Sequence, residues 1–263
     1  MPKKKKNKIK VRWKNVFKFL FFVFVIVLII NVIIVITQIN KQNNNTDEMI
    51  KKLNKTPISN IVDDKSTKVI SPPEDISKFD SYWDYIKMSL INVDLTTPIT
   101  INKDTCAWLD FKSIDINYPV LCSSDDSFYT THSLDKSINH NGWLFIGKDS
   151  NLSKNENIII YGNNNSNDKL FGNMNKVFKE SFKNDTENQL IRLYTNDSTS
   201  LWQIVSVYHG NDLEDYNLLG KSEVNFTEYI NDNDKILTLV ALDKKNIIVK
   251  AKLLKYKPLK KAS

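Results

Sequence analysis

The chain has 263 residues, of which 41% are hydrophobic and 25% are charged, and these proportions exclude both a wholly disordered protein and a polytopic membrane protein. The formal net charge of +7 would favour a nucleic-acid partner, but residues 1–18 alone contain nine of the 37 Lys and Arg residues and no acid. The rest of the chain carries 28 basic against 30 acidic residues, so we expect no nucleic-acid interface on the folded part.

An apolar segment over residues 19–37 follows this basic tail. Apart from Asn31 and Thr37 its residues are apolar, and about 18 residues in a helix rise about 27 Å, close to the thickness of a bilayer core. Because the Lys and Arg residues precede the segment, the tail is expected in the cytoplasm and the remaining chain outside the cell membrane. A cleaved signal peptide is the alternative interpretation, but no small-residue cleavage pattern follows the segment. We therefore expect one uncleaved, single-pass transmembrane helix.

Two regions separate this segment from the folded domain. Residues 38–71 are rich in Asn, Lys, Asp, Ser and Thr, which indicates a polar, solvated stalk with at most one amphipathic turn at Met49, Ile50 and Leu53. In residues 72–104, apolar side chains recur at spacings of three and four, which predicts an amphipathic helix that covers the domain behind it. The positions of that apolar stripe are Ile76, Phe79, Tyr82, Trp83, Ile86 and Leu90.

Short β-type runs separated by turn residues occupy residues 105–258. Eight strands with few helices favour a closed β-barrel or a sandwich over a βαβ sheet, so the expected fold class is mainly β. Short connecting helices are expected near residues 170–179 and 225–230, and residues 259–263 form a basic tail. The expected strands are residues 107–110, 116–121, 143–147, 157–162, 190–195, 201–208, 236–241 and 247–254.

Several of these runs resemble class B sortases, in the same order along the chain. The similar segments are residues 107–109 (AWL), 114–120 (IDINYPV), 141–146 (NGWLFI), 157–162 (NIIIYG), 170–174 (LFGNM), 206–208 (SVY), 234–239 (DKILTL) and 249–253 (VKAKL). Each motif is weak alone, but their common order behind an N-terminal anchor, over residues 83–254, is specific. The resemblance implies an eight-stranded sortase-like β-barrel on the outer face of a Gram-positive cell membrane.

The catalytic residues of the family are absent at the positions that match its motifs. The resemblance implies cysteine transpeptidase chemistry, in which a thiolate attacks a carbonyl, a histidine protonates the leaving amine and an arginine stabilises the oxyanion. Carried over by motif, the histidine position is Asn163, the cysteine position is Leu242 and the arginine position is Asn246. Leucine has no nucleophile, and neither asparagine can titrate near neutral pH or carry a charge. We therefore expect no catalytic residue, and the two loops that border the peptide groove in the family are also short here.

A peptide-binding groove can be retained when the catalytic residues are lost, because recognition and reaction are separable. The resulting hypothesis is a membrane-anchored pseudo-sortase that binds a sorting-signal-like peptide, an active sortase or another envelope protein, without a cofactor. The alternatives are an active cysteine transpeptidase with a rearranged site and a structural envelope protein without a groove function. The expected binding residues are Tyr161, Asn163, Tyr208, Thr238, Leu242 and Asn246.

The remaining reactive residues leave several interpretations open. Cys106 and Cys122 are buried free thiols, or they form a disulfide if they face each other across a hairpin centred on Ile114. In a third interpretation, Cys122 is a relocated nucleophile that works with His132 or His140. The histidines form no i,i+4 pair, and the Asn-rich loop after the fourth expected strand has few acids, so no metal site is expected.

Overall fold

The structure is a computed structural model, and it describes residues 12–70, 80–125, 127–147, 150, 157–210, 223–226 and 234–259. The chain divides into two compact units, residues 1–44 and residues 45–263. The first unit contains an apolar helix, and the second contains a β-barrel with the elements that precede it.

The first helix, α1, spans Trp13–Leu53 and contains the apolar segment. This segment is long and apolar enough to cross a membrane, and none of it is buried inside the structure. Its two polar side chains, Asn31 and Thr37, donate hydrogen bonds to the backbone carbonyls of Val27 and Ile33, one turn earlier. Polar side chains that bond their own helix need no partner in lipid, so the segment is compatible with membrane anchoring.

The expected polar stalk is wrong, because α1 continues to Leu53 and the folded second unit already begins at residue 45 rather than at residue 72 or 105. Thr46, Met49 and Leu53 are at most 3% exposed. They lie three and four residues apart, on one face of the helix, while the polar residues between them face solvent. The polar composition after residue 37 therefore did not reveal that the helix continues there with one narrow buried face.

The elements between α1 and the barrel mix helix and strand. Helix α1 is followed by β1 (Ile58–Ile61), β2 (Lys68–Val69), α2 (Asp80–Lys87), β3 (Leu90–Val93) and α3 (Thr96–Ile101). The amphipathic helix is shorter than expected, because Leu90 begins β3, which pairs antiparallel with β1. Ile76 and Phe79 of the expected stripe lie outside the described residues. Helix α2 still covers the barrel, since Tyr85 packs with Leu190 and Leu201.

Eight strands close the barrel, which confirms the expected architecture. The further strands are β4 Thr105–Phe111, β5 Ile116–Cys122, β6 Phe145–Ile146, β7 Asn157–Asn163, β8 Leu190–Thr195, β9 Ser198–Gly210, β10 Val224–Asn225, β11 Ile236–Leu242 and β12 Asn246–Pro258. Neighbouring strands pair in the circular order β4, β5, β6, β7, β11, β12, β9, β8 and back to β4, while β2 adds to β12 and β10 adds to β9.

The two expected connecting helices differ from the observed structure. Near residues 170–179 the chain forms a 3₁₀ turn, Met174–Phe178, followed by the short helix α4, Glu180–Lys183. In the second expected helix, Asn225 instead belongs to β10, because it pairs with Ser206 at the edge of β9. Residues 227–230 of that expected helix lie outside the described part of the chain.

The disulfide bond joins Cys106 of β4 to Cys122 of β5, with their Cα atoms 5.7 Å apart. The register that led us to consider this bond is wrong, because the cysteines are not directly opposite each other. Ala107 pairs with Val120 and Thr105 pairs with Leu121, so Cys106 is the extra residue of a β-bulge. The bulge brings the two residues within bonding distance along a diagonal, and neither cysteine is free.

We expect both thiols to be blocked in protein purified without reductant, and reduction should destabilise the barrel by roughly 3 kcal/mol, the loop-entropy value for a loop of about 15 residues. The measurement is the intact mass after thiol labelling, with and without reductant. The Cys106→Ser, Cys122→Ser double variant is the matched control for the stability change. Labelling of two thiols in native, unreduced protein would contradict this prediction.

Candidate functional site

Three strand ends meet at one end of the barrel. Strands β7 and β11 pair in parallel, so both end at the same edge, where Asn163 lies opposite Leu242. Strand β12 begins there with Asn246, which pairs with Gly210 at the end of β9. The connection between Leu242 and Asn246 is only three residues long. The structure thus brings together the three positions singled out from the sequence.

The Asn163 side chain connects this edge of the barrel to the loop of residues 130–142 by hydrogen bonds. Its side-chain Nδ2 donates hydrogen bonds to the backbone carbonyls of Thr130 (2.7 Å) and His140 (3.1 Å). Gly142 lies against this contact with φ +64°, and a Cβ there would come within 2.4 Å of the Tyr129 carbonyl. Both donors of the amide are therefore used by the fold, and the loop needs glycine at residue 142.

Asn246 and Asp243 hold the tight turn that follows β11. The Asn246 Oδ1 accepts a hydrogen bond from the Asp243 backbone N–H at 3.0 Å. The Asp243 carboxylate accepts bonds from the Lys244 N–H (2.7 Å) and from the Asn164 Nδ2 (3.0 Å). Asn246 is thus a turn residue that closes the connection, in keeping with the usual role of Asn in turns.

The six residues expected to bind a ligand share one outer face of the barrel, which we call the groove floor. Leu237, Leu239 and Ala241 point into the barrel core, so the alternating residues of β11 point outward. Ile158 and Ile160 fix the same alternation in β7. The groove floor consists of Tyr161 and Asn163 on β7, Thr238 and Leu242 on β11, Asn246 on β12 and Tyr208 on β9.

The comparisons with known proteins identify this architecture. No family model matches the chain. Sortase B of Listeria monocytogenes serovar 1/2a (strain ATCC BAA-679 / EGD-e) is 25% identical over 158 residues, which cover 54% of this chain and 64% of that protein. The X-ray structure of Clostridium perfringens sortase B is 28% identical, covers 61% of this chain and 100% of its own, and has a TM-score of 0.55. Sortase B from Bacillus anthracis is 17% identical and covers 82% of this chain and 97% of its own, with a TM-score of 0.61.

The chain has a class B sortase-like fold. The matched region spans less than two thirds of the curated relative from Listeria.

On the same face of this sortase-like barrel, beside the groove floor, lies a buried lysine side chain that sequence reasoning missed. Lys250 of β12 lies between Thr238 and Ser206 in the sheet register and is 3% exposed. Its Nζ is 5.5 Å from the centre of the Tyr208 ring, a cation–π arrangement. Burial lowers the pKa of Lys250 and raises the pKa of Tyr208, because it disfavours both charged forms. Nothing in the sequence signals this burial, because Lys250 and Lys252 alternate with apolar residues in β12, a pattern that predicts a solvent-facing side of the strand.

Two hydroxyl groups of the same face are unsatisfied. The Tyr208 Oη and the Ser206 Oγ are buried and have no hydrogen-bond partner in the part of the chain that the structure describes. Buried hydroxyls without partners are uncommon, since each costs desolvation free energy. Their hydrogen-bonding capacity is unused within the described residues, and both atoms are closed off from solvent by the fold.

Two of the three histidines stack on phenylalanine rings. His132 stacks on Phe128 with ring centres 3.9 Å apart. His209 stacks on Phe178 and lies 3.0 Å from Glu223, and this hydrogen bond lowers the pKa of the Glu223 carboxyl. Within the described residues, no group of three or more His, Cys, Asp or Glu side chains is placed to hold a metal ion.

Proposed function

We propose that this protein is a membrane-anchored, sortase-like binding factor that holds an extended peptide or protein segment in its groove and performs no transpeptidation. In this proposal the basic tail lies in the cytoplasm and the barrel outside, because Lys and Arg residues precede the apolar segment. The ligand is a sorting-signal-like peptide, an active sortase or another envelope protein.

The observation that carries the proposal is the chemistry of the strand ends at the groove. Leu242 offers no nucleophile, and the polar groups of Asn163 and Asn246 bond to the surrounding backbone. Both cysteines are in a disulfide, so neither thiol is available to replace Leu242. These side chains support the shape of the site but supply no acid, base or thiolate.

Retained binding is supported by the groove floor and by a related protein. The solved Staphylococcus aureus sortase B, 24% identical, is a complex with a substrate. In this chain the groove floor combines half-buried Leu242 and Tyr161 with the polar side chains of Asn163 and Asn246, also half-buried, at the strand ends. An apolar wall with a few polar groups is the usual composition of a ligand site.

Leu242→Arg is expected to weaken groove binding at least about tenfold, because it places a charge in a half-buried apolar position. The ligand is an extended peptide selected from a displayed library against the full-length protein in nanodiscs. Its affinity, expected to be micromolar or weaker, is measured by fluorescence anisotropy.

The matched control is Val62→Arg, the same kind of change at a position that is 85% exposed. This control should bind as the unchanged protein does. If Leu242→Arg binds every selected peptide with unchanged affinity, the groove is not the binding surface, and a structural role without groove function replaces the proposal.

A further inference from the structure

A cavity of about 380 Å³ opens at the end of the barrel opposite Asn163, Leu242 and Asn246. Its inner wall consists of Ile158 at the start of β7, Leu193 of β8, Trp202 of β9 and Leu253 of β12. Ile158 and Asn163 are five residues apart in β7, so roughly 17 Å separates this wall from the groove end. We call this space the lower cavity, and no step of the proposed groove function uses it.

The wall of the lower cavity belongs to the barrel core. Leu193, Trp202, Leu253 and Ile158 are between 1% and 7% exposed and are members of the main hydrophobic cluster. An eight-stranded barrel is just wide enough to be filled by side chains or to hold one small ligand. In this barrel the packing of side chains stops short of the mouth, which leaves an apolar space open to the outside.

The polar groups inside the lower cavity are already satisfied. The Ser200 Oγ donates a hydrogen bond to the Leu193 carbonyl at 3.0 Å and accepts one from the Trp202 Nε1 at 2.8 Å. The interior therefore offers apolar contact and few free polar groups. An apolar cavity of roughly 150 Å³ holds benzene, so by proportion about 380 Å³ suits roughly 12 to 15 carbon atoms.

The rim of the lower cavity supplies one available cation. Lys235 lines the rim, is exposed, and has no salt bridge within the described residues. Asp197 also lines the rim, but it already has an interaction of its own. Thr195 and Ser198 complete this polar edge and bond mainly to each other. A ligand with one acidic end and one apolar chain matches this arrangement.

We propose that the lower cavity binds a single-chain amphiphile, with its apolar chain against Leu193, Trp202 and Leu253 and its acidic end at Lys235. This inference is independent of the proposed groove function, because the two sites lie at opposite ends of the strands. Binding is non-covalent, and the free energy comes from apolar contact in a preformed cavity.

The test uses the full-length protein in native membranes and a photoreactive analogue of dodecanoate that carries a diazirine on its chain. Labelled sites are mapped by mass spectrometry. We expect labels at residues 193–202 and 253–256, in addition to labels on residues 19–36, which report general contact with lipid. Excess dodecanoate should remove the barrel labels several times more effectively than dodecanol and should leave the relative labelling of residues 19–36 unchanged.

Two variants address the cavity itself. Ser198→Trp places a large side chain at the mouth, and Leu193→Trp fills the interior. Each should reduce barrel labelling at least tenfold relative to labelling of residues 19–36. Ser198 is half-buried at the rim, so its variant keeps the test valid if Leu193→Trp does not fold.

A charge variant addresses the acidic end of the ligand. Lys235→Gln should remove most of the advantage of dodecanoate over dodecanol as a competitor, whereas the matched control Lys112→Gln, exposed at the opposite end of the barrel, should retain it. Labels confined to residues 19–36, or undiminished barrel labelling in Ser198→Trp, would overturn the site. Equal competition by dodecanoate and dodecanol in the unchanged protein would overturn the acidic ligand.

Discussion

Asp63→Ala is expected to lower the free energy of unfolding by roughly 3 kcal/mol, because it leaves the buried charge of Lys255 without its partner. Lys255 of β12 is 0% exposed, and its Nζ donates hydrogen bonds to the Asp63 carboxylate (2.5 Å) and to the Ile86 carbonyl (2.6 Å). The Asp63 side chain is 41% exposed, so water offsets part of the loss.

Lys255→Met should cost much less than Asp63→Ala, although both remove the same ion pair. Methionine fills a similar volume without a charge, and the Asp63 carboxylate can be hydrated where it stands. The control is Asp84→Ala, which breaks a surface pair with Lys87 and should change stability by less than about 1 kcal/mol. Urea denaturation in mild detergent, followed by tryptophan fluorescence, measures all three. If Asp63→Ala behaves like Asp84→Ala, Lys255 is not dependent on this partner.

We also expect full-length protein to show no transpeptidation of sorting-signal peptides onto an amine acceptor. Loss of a nucleophile alone costs about 10⁶ in rate in a well-studied protease series, and here Leu242, Asn163 and Asn246 lack all three reactive groups. The measurement is product formation by mass spectrometry over long incubation. Product that disappears in Cys122→Ala would establish the alternative, an active transpeptidase with a rearranged site.

The variant Leu242→Cys, Asn163→His, Asn246→Arg tests whether the missing groups alone account for inactivity. We expect only trace activity, above that of the single variant Leu242→Cys. A neutral histidine at residue 163 has one N–H and cannot replace both hydrogen bonds of the asparagine amide. An arginine at residue 246 has no acceptor for the Asp243 N–H. Full activity in the triple variant would contradict a structural role for these two asparagines.

The sequence was sufficient to predict the barrel because β-type runs and turn residues are local signals. Strand β8 matches its expected bounds, and β7 and β11 extend them by one residue. The register at Cys106 was not predictable, since a bulge depends on how two strands twist together. The helical end of α1 was missed because only Thr46, Met49 and Leu53 carry its buried face. A signal of three residues cannot outweigh a polar composition.

The candidate site likewise contains residues that the sequence predicted and one that it did not. Family motifs placed Asn163, Leu242 and Asn246, and the strand pairing brings these residues to one edge. Lys250 was missed because a lysine in a strand ordinarily marks a solvent-facing position. What buries Lys250 is packing between distant parts of the chain, and no pattern within the strand reports it.

Strand β12 has a consequence for how the protein is made. It pairs with β9, β11 and β2, so the barrel cannot close until residues 246–258 have emerged from the ribosome. Until then β9 and β11 expose unpaired, largely apolar edges, which favour aggregation. A premature stop before β12 would therefore remove the whole groove end, because Leu242 and Asn163 would lose the strand that closes the sheet beside them.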